Sequence, residues 1–475
     1  MPELMENILN NLDNEFYSLY SCALVSRHWC KMSIPILWQD PFKFQKKPMF
    51  ISRYFSYLDE EEKVLLKECG IIINFPNTLF NYAKFLKVLD LSRLEENVRL
   101  WINFQISNQK IICISKDDLA NLLFKLFIES GAILSKFDIY FTEFIIKPNV
   151  FYSLGQNEHF FSRLQDLTVD VIIDSFDFGV EEAIMLLRIL AKTTTKISTL
   201  NLGTFGYNYE PQIYQALVNI IKSQGNLRRF SLICETEFQT AMCGVISALE
   251  SQRKNLQEIK LDGCAYSAEF KVLMNCEKLK VLRILYCEEK KLLKILDTGL
   301  CKISTLEISS YPTDASNLLS ILKKSGTLLQ RLKLDSEDEI CSQSLLFDTL
   351  IAFCPNITHL YISYIKLSAE LLKLIGSLQK LQLLTLRFVY NELEMENLDM
   401  QFAKILPSTL QYLEWSYIRN DILLNYCEAP LKKLKKTLKY VSLSRSTYIS
   451  NSEFNNIRKD LEGYVKLVRF EEIEI

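Results

Sequence analysis

Histidine, cysteine and glycine often carry catalysis or ligand binding, but here they do not form the patterns that such chemistry needs. The chain has three histidines, His28, His159 and His359. None adjoins a serine or cysteine in a nucleophile motif. Cys22 and Cys30 lack the spacing of a zinc pair, and Gly203 and Gly206 lack the rest of a phosphate-binding loop. We therefore expect a chain that is not an enzyme and needs no cofactor or metal.

The polar and aromatic residues towards the C-terminus indicate a protein-binding surface. These residues alternate with leucines, and alternate residues of a strand lie on opposite faces, so they are expected to share one exposed face. Tyrosine and arginine are enriched at binding hot spots. The predicted substrate-binding residues are Arg331, Lys333, His359, Tyr361, Arg387, Tyr412 and Tyr440, with Asp335 and Glu414 on the same face. A solvated strand surface without a ligand stays the alternative for each of them.

A repeated pattern, L-x-x-L-x-L with other apolar residues allowed at the leucine places, supplies the elements that position this face. Clear copies begin at Leu164, Ile197, Leu227, Leu256, Leu279, Ile303, Leu329, Ile357, Leu381, Leu410 and Leu438, and weaker ones at Leu86, Leu134 and Val465. From Leu134 onward the copies start about 23 to 33 residues apart, close to the roughly 20 to 29 of leucine-rich repeats. The pattern predicts one repeat unit for each copy.

Each unit is expected to contain a strand and a helix, because x-L-x-L-x has period two and the following residues change to a helical period. Helices are predicted at residues 183–192, 213–222, 315–324 and 369–374. Gly326 is expected to end the third as a left-handed cap. Alternating strands and helices predict a curved α/β solenoid, with parallel strands on its concave face and helices on its convex face.

Two alternatives concern the type of repeat. A doubly wound α/β sheet also alternates strands and helices, but so many copies of one strand pattern are not expected there. Cys264 follows Leu261 and Cys287 follows Ile284, which resembles the cysteine-bearing subtype of leucine-rich repeat. The other copies lack this cysteine, so the subtype and the local curvature stay open.

Residues 1–42 do not fit the repeat, and a segment this short needs something to pack against. Leu4 and Ile8 are four residues apart, which places them on one face of a helix. Trp29 and Trp38 are two of only 4 tryptophans in the chain, and tryptophan is enriched at interface hot spots. The segment therefore has the pattern of a small helical unit with an interface.

Three stretches of this segment together form a recognisable motif: Pro2-Glu3-Leu4, Leu24-Val25-Ser26-Arg27-His28-Trp29 and Pro35-Ile36-Leu37-Trp38-Gln39-Asp40-Pro41. Their sequence resembles the F-box motif. The L-V-S-R-x-W element followed at this distance by P-x-L-W is a specific combination. The motif normally opens with Leu-Pro, and Met1 stands here in the place of the leucine, where it can fill an apolar pocket.

The resemblance implies docking on the adaptor subunit of a cullin-RING ubiquitin ligase of the SCF type. The implied adaptor-binding residues are Pro2, Leu4, Ile8, Leu24, Val25, Trp29, Leu37 and Trp38. An F-box before leucine-rich repeats is the usual architecture of a substrate-recognition subunit. The alternative is a non-catalytic repeat scaffold on which the two tryptophans form only a structural cap, and capping and docking can both hold.

Residues 43–85 are predicted to be a helical connector, and residues 86–475 the leucine-rich-repeat solenoid. Asp59 can cap a helix start, Glu62 three residues later completes a capping box, and Gly70 follows the helix end. A rigid connector would fix the direction in which a bound substrate points.

Composition sets the remaining expectations. A hydrophobic share of 49% with only 13 Gly and 11 Pro predicts a chain that is folded throughout. A net charge of -2, with both signs interspersed, disfavours nucleic acid and membrane surfaces as partners. An acidic start and the absence of an apolar run of about 20 residues argue against a signal peptide or a membrane span. We therefore expect a cytoplasmic or nuclear protein, and the F-box resemblance implies that it recognises a protein substrate for ubiquitination.

Overall fold

The computed structural model describes residues 2–12, 15–43, 48–71, 78–107, 114–141, 144–171, 179–205, 211–234, 242–287, 292–293, 302–310, 315–336, 343–388, 405–417, 440–442 and 466–467. The chain divides into two compact units, Met1–Gln252 and Arg253–Ile475. Each unit is described by itself.

The first unit begins with helices and continues as alternating strands and helices. Its α-helices are α1 (Pro2–Asn10), α2 (Phe16–Val25), α3 (Arg27–Leu37), α4 (Glu60–Glu68), α5 (Leu91–Ser107), α6 (Lys116–Glu129), α7 (Pro148–Gln156), α8 (Val180–Thr193), α9 (Pro211–Ser223) and α10 (Met242–Ala248). Its strands are β1 (Val88–Asp90), β2 (Lys136–Tyr140), β3 (Asp166–Val171), β4 (Thr199–Phe205) and β5 (Arg229–Cys234). Short 3₁₀ helices span Pro41–Lys43, Pro48–Tyr57, Tyr82–Phe85 and Leu249–Gln252.

The second unit has the same alternation. Its strands are β6 (Glu258–Asp262), β7 (Val281–Leu285), β8 (Thr305–Ser310), β9 (Arg331–Ser336), β10 (His359–Ile365), β11 (Leu383–Phe388), β12 (Tyr412–Tyr417), β13 (Tyr440–Ser442) and β14 (Lys466–Leu467). Its α-helices are α11 (Ala315–Ser325), α12 (Gln343–Phe353) and α13 (Ala369–Ser377), and a 3₁₀ helix spans Ala268–Asn275.

Within each unit the strands pair in parallel and in chain order. The leucine places of the sequence pattern are register partners: Leu167 pairs with Leu200, and Leu200 with Phe230. These side chains are buried. The predicted α/β class, with parallel strands and intervening helices, is therefore confirmed.

A backbone ladder joins consecutive strands just before they begin. In the steps from β1 to β5 and from β6 to β12, one carbonyl accepts hydrogen bonds from two successive N–H groups at the start of the next strand. The Ser198 carbonyl, for example, accepts from the N–H groups of Arg228 and Arg229, both at 2.9 Å. Because this geometry recurs from strand to strand, it keeps the strands in register and satisfies backbone groups that would otherwise be costly to bury.

Buried glutamines add a second link between neighbouring turns of the first unit. Gln224 Oε1 accepts from the N–H of Ile197 at 2.9 Å, and Gln252 Oε1 accepts from the N–H of Leu227 at 3.3 Å. Gln252 Nε2 donates to the Gln224 carbonyl at 2.8 Å. These bonds satisfy polar groups at buried positions, where an unmade hydrogen bond costs about 1 to 3 kcal/mol.

The predicted helix boundaries agree with the structure except at one cap. Asp59 and Glu62 form the predicted capping box at the start of α4, and Gly70 takes the left-handed φ of 85° after its end. Gly326 does follow α11, but its φ is not in the left-handed region, so the predicted cap was wrong. Glycine is needed at residue 326 for another reason, because a Cβ atom there would lie 2.6 Å from the Phe353 carbonyl oxygen.

Candidate functional site

The three N-terminal helices pack around a small apolar core. Leu9 of α1, Leu19 of α2 and Ile36 of α3 are buried at its centre. Trp29 and Leu37 are partly buried and pack against this core. Both residues were predicted to bind an adaptor, and the structure shows that part of each side chain stabilises the helical unit itself.

The S-R-x-W element sets the turn between α2 and α3. Ser26 has extended backbone, with φ -161° and ψ 167°, which ends α2. Its hydroxyl accepts a hydrogen bond from the N–H of Trp29 at 3.3 Å, so Ser26 is the N-cap of α3. The serine and the tryptophan three residues later thus fix the start of α3 and place the indole against the core.

Large apolar side chains on α1 and α2 lie in water. Leu4 and Ile8 of α1 are 61% and 50% exposed, and Leu24 and Val25 of α2 are 71% and 66% exposed. Tyr17 and Tyr20 of α2 are also more than half exposed. Together these six residues are called the apolar helix faces. Large exposed apolar side chains grouped on helix faces are candidates for a binding surface.

Trp38, the last tryptophan of the motif, faces into the chain. Its ring stacks on Tyr82 with centroids 4.1 Å apart and meets Tyr54 edge-on at 5.3 Å. Phe50 also contacts it edge-on at 6.2 Å. These partners belong to the segment between the helices and β1, so Trp38 joins the N-terminal helices to that segment. Its contact with an adaptor stays a prediction.

Gln39 connects the N-terminal helices to the first strand. Its carbonyl accepts from the N–H groups of Lys87 and Val88 at 2.9 and 3.0 Å. The same two-bond geometry joins the later strands, where the accepting carbonyl belongs to a residue just before a strand. Gln39 fills that role for β1, although no strand follows it directly. The motif and the parallel sheet of the first unit are therefore joined through backbone hydrogen bonds.

A second candidate surface lies on strand positions between the leucines of β8 to β12. This polar strand face consists of Glu307, Arg331, Lys333, Asp335, His359, Tyr361, Arg387 and Glu414. Glu414 was expected to be exposed, but it is fully buried. Glu307 and Lys333 are register partners, as are Lys333 and Tyr361. Glu307 pairs with Lys333 Nζ at 2.7 Å and with Arg283 Nε at 2.9 Å.

Tyr361 is at the centre of the polar strand face. Lys333 Nζ and Arg387 Cζ lie 5.2 and 5.4 Å from the centre of its ring, within range of a cation–π interaction. Its hydroxyl donates to Asp335 Oδ1 at 3.2 Å. Arg387 Nη2 also lies 3.8 Å from Glu414 Oε1. The charged groups around Tyr361 therefore already have partners within the chain.

Burial shifts the pKa values of three groups on this face. It lowers the pKa of His359 to about 4, with a smaller effect from the Arg331 guanidinium, so the imidazole is neutral at pH 7. It raises the pKa of the Tyr361 hydroxyl and of the Glu414 carboxyl, and Arg387 opposes both shifts. At pH 7 the face therefore holds a neutral imidazole at His359, and burial favours the uncharged forms of the Tyr361 hydroxyl and the Glu414 carboxyl.

The remaining predicted site residues fall in different environments. Arg331 is exposed, whereas Tyr412 is buried and its hydroxyl donates to Glu414 Oε2 at 3.2 Å. Tyr440 pairs with Tyr412 in the sheet, but its side chain lies outside the described residues, as does that of Pro2. Glu307 and Arg283 were not predicted. Extending the same strand position to the preceding copies of the pattern would have found both.

Two searches of the described residues concern other kinds of site. Among these residues, histidine, cysteine and acidic side chains form no group of three or more that could hold a metal ion. No helix in the same ranges is both long and apolar enough to cross a bilayer.

Residues 2–43 match the family model described as F-box-like. The match covers the three helices, the S-R-x-W turn and the residues that join them to the sheet. A comparison with curated proteins gives no match. An F-box-like domain indicates an adaptor or protein-interaction role in ubiquitin ligases, through binding of an SKP1-type adaptor subunit.

Proposed function

We propose that this chain is the substrate-recognition subunit of an SCF-type ubiquitin ligase and is itself non-catalytic. The F-box-like helices bind the SKP1-type adaptor, and the strand–helix region, which we take to be a leucine-rich-repeat solenoid, binds a protein substrate. Other subunits carry out ubiquitin transfer, and this chain raises the effective concentration of substrate lysines near them. The setting is the cytoplasm or the nucleus.

The exposed residues of the apolar helix faces are the observation that carries the adaptor proposal. Leu4, Ile8, Leu24 and Val25 are each at least half exposed. Completing the burial of a half-exposed leucine or isoleucine contributes about 1 kcal/mol, on the scale of about 1.5 to 3 kcal/mol for burying the whole side chain. Four such residues, together with Tyr17 and Tyr20, therefore supply the apolar part of an interface.

A structural cap would explain the inward-facing residues of the F-box-like segment, but not its exposed apolar residues. Trp38 and Gln39 join the N-terminal helices to the following segment and to β1. A cap needs these inward contacts, but it does not need Leu24 and Val25 to lie in water. We therefore assign the cap to the inward residues and adaptor binding to the apolar helix faces.

Substrate binding is assigned to the polar strand face. Tyrosine and arginine, here Tyr361, Arg331 and Arg387, are enriched at binding hot spots. The even spacing of the strands, about 4.8 Å, presents these side chains in rows that fit an extended partner surface. Because Glu307 pairs with Lys333 and Arg387 with Glu414 within the chain, we expect substrate contacts to be specific rather than driven by net charge.

Co-purification with the SKP1-type adaptor tests the first half of the proposal. Leu24→Asp places a charge on an exposed side chain of α2 and leaves the core formed by Leu9, Leu19 and Ile36 intact. We expect stoichiometric adaptor binding by the wild type and loss of it in the variant. Leu79→Asp is the matched control, because Leu79 is 90% exposed and lies outside the F-box-like segment. A well-folded wild type that does not bind the adaptor would leave the scaffold alternative.

Charge reversal on the polar strand face tests the second half. Arg331→Glu and Arg387→Glu are expected to reduce the recovery of ubiquitinated substrates from cells while adaptor binding is retained. Lys192→Glu is the control, since its exposed side chain lies on α8 of the first unit and pairs with Glu158. Equal recovery by the wild type and both arginine variants would contradict the assignment.

A further inference from the structure

Two cysteines of the second unit occupy equivalent positions beyond neighbouring strands. β6 and β7 pair in register, with Asp262 opposite Leu285. Cys264 and Cys287 each lie two residues beyond that pair. Paired strands are about 4.8 Å apart, and the Cα atoms of a disulfide are about 4.4 to 6.8 Å apart. The register thus brings these two residues into the range in which a disulfide can form.

Hydrogen bonds hold the two thiols next to each other. The N–H of Cys264 donates to Cys287 Sγ at 3.3 Å. Cys264 Sγ lies 3.5 Å from the Asp262 carbonyl oxygen, and Cys287 Sγ lies 3.2 Å from that of Leu285. The N–H of Gly263 donates to the Leu285 carbonyl at 2.8 Å. Two hydrogen bonds, from the N–H groups of Gly263 and Cys264, therefore join the end of β6 to the end of β7 beside the sulfur atoms.

The turns that carry the cysteines share one backbone conformation. Gly263 and Tyr286, the residues just before Cys264 and Cys287, both have left-handed φ angles, 66° and 51°. Glycine adopts this region freely, whereas it is unfavourable for tyrosine. The common turn gives the two cysteines the same direction, so their side chains remain neighbours.

The two thiols differ in exposure and reactivity. Cys264 is buried, and Cys287 is half-buried. A hydrogen bond from the Cys264 thiol lowers the pKa of the Cys287 thiol; burial opposes this shift, and the N–H of Cys264 adds to it. Burial raises the pKa of the Cys354 thiol to about 12. Since the thiolate is the reactive form of cysteine, Cys287 has the surroundings of a nucleophile and Cys354 does not.

We propose that Cys264 and Cys287 are an oxidant-sensitive pair that forms a reversible disulfide between neighbouring strand ends, with a hydroperoxide as the oxidant. The Cys287 thiolate attacks one oxygen of hydrogen peroxide; the O–O bond breaks, sulfur is oxidised to sulfenic acid, and hydroxide leaves. Cys264 sulfur then attacks Cys287 sulfur. The S–S bond forms as the S–O bond breaks, and the displaced hydroxyl takes the Cys264 proton and leaves as water. A thiol reductant restores both thiols.

Peptide mapping of the full-length chain tests this proposal. The reduced chain is exposed to hydrogen peroxide, its remaining thiols are alkylated, and it is digested with trypsin. Cys264 lies in the tryptic peptide 261–271 and Cys287 in the peptide 284–290, each with a single cysteine. We expect these peptides to become linked and to separate on reduction, with Cys287 oxidised at least about tenfold faster than Cys354.

Single variants separate the roles of the two sulfurs. Cys264→Ser is expected to leave a sulfenic acid on Cys287 that dimedone traps, whereas Cys287→Ser is expected to leave Cys264 unlabelled. Cys354→Ser is the control and should form the link as the wild type does. The proposal is overturned if peroxide does not link the two peptides, if dimedone labels Cys264 in place of Cys287, or if the half-buried Cys243 is oxidised as fast as Cys287.

Discussion

The apolar helix faces and the polar strand face are two surfaces of opposite chemistry. Leu4, Ile8, Leu24 and Val25 leave apolar area in water on α1 and α2. On the strands, by contrast, Tyr361 and the charged side chains near it bond to one another. Covering the apolar helix faces with a matching apolar surface lowers the free energy. The polar strand face is already stabilised by contacts within the chain.

This difference assigns the two surfaces different roles in binding. Apolar burial supplies affinity, so the helix faces suit a constant partner such as the ligase adaptor. A ligand of the polar strand face must replace existing hydrogen bonds and ion pairs, and each exchange has only a small net effect on free energy. The strand face therefore suits selective recognition of a substrate whose own groups match those that it displaces.

The largest expected effect comes from removing the inward-facing ring of Trp38, which we assign to the cap and not to the adaptor interface. Trp38→Ala deletes a ring that packs against Tyr54 and Tyr82, and we expect it to lower the free energy of unfolding by about 3 kcal/mol. Leu24→Ala, on an exposed position, should change it by no more than about 0.5 kcal/mol. Thermal unfolding of Trp38→Ala, Leu24→Ala and the wild type measures these changes in stability. Equal destabilisation by the two variants would contradict the division into inward and exposed residues.

A charge on α1 tests whether both helices contribute to the apolar interface. Ile8→Asp is expected to weaken adaptor binding about 10-fold to 100-fold, because the carboxylate would be desolvated in the interface. Isothermal titration calorimetry measures the affinity, with Leu79→Asp as the control. If Ile8→Asp binds as tightly as the wild type, α1 is not part of the adaptor interface.

Removing one hydroxyl tests whether the polar strand face stabilises itself. Tyr361→Phe loses the hydrogen bond to Asp335 and keeps the ring between Lys333 and Arg387. The expected loss is about 1 kcal/mol of unfolding free energy, measured by urea denaturation. Tyr152→Phe, at an exposed position on α7, is the control and should have no measurable effect. A Tyr361→Phe variant as stable as the wild type would show that this hydrogen bond adds nothing.

The smallest expected effect is a pH dependence that originates in His359. Its pKa is lowered to about 4 in the folded chain, so the unfolded chain, with the ordinary value near 6.5, binds the proton more tightly. This contribution to stability is complete above pH 6.5 and is lost as the pH falls towards 4. His359→Gln should therefore lose less Tm than the wild type between pH 7 and pH 4.5. Equal losses of Tm by the wild type and His359→Gln over this pH range would contradict the contribution of His359.

The sequence predicted those features that depend on local patterns. Alternation of leucines located the strands, including β1 and β2 from weaker copies, because burial on one face requires period two. Asp59 and Glu62 located the start of α4, since a capping box is made within one turn.

Features that depend on contacts distant in the chain were not predicted. Gly326 was assigned a left-handed φ from its position after a helix, but what requires glycine there is the close approach of two carbonyl oxygens, that of Leu322 and that of Phe353 from the next helix. Trp38 was expected to dock on an adaptor, to form a cap, or both, but the sequence did not name its stacking partner Tyr82, which lies more than forty residues away. The F-box-like sequence motif indicated the residues of the candidate interface, but it did not distinguish the residues that pack inside the chain from those that are exposed to solvent.

Hydrogen–deuterium exchange of the full-length chain, with and without saturating SKP1-type adaptor, tests the central claim most directly. Exchange slows where a partner covers backbone or stabilises local structure. We predict slower exchange in α1 and α2 when the adaptor is bound, and unchanged exchange in β9, β10 and β11. Adaptor binding that slows exchange in those strands and leaves α1 and α2 unchanged would contradict the assignment of the apolar helix faces as the docking site.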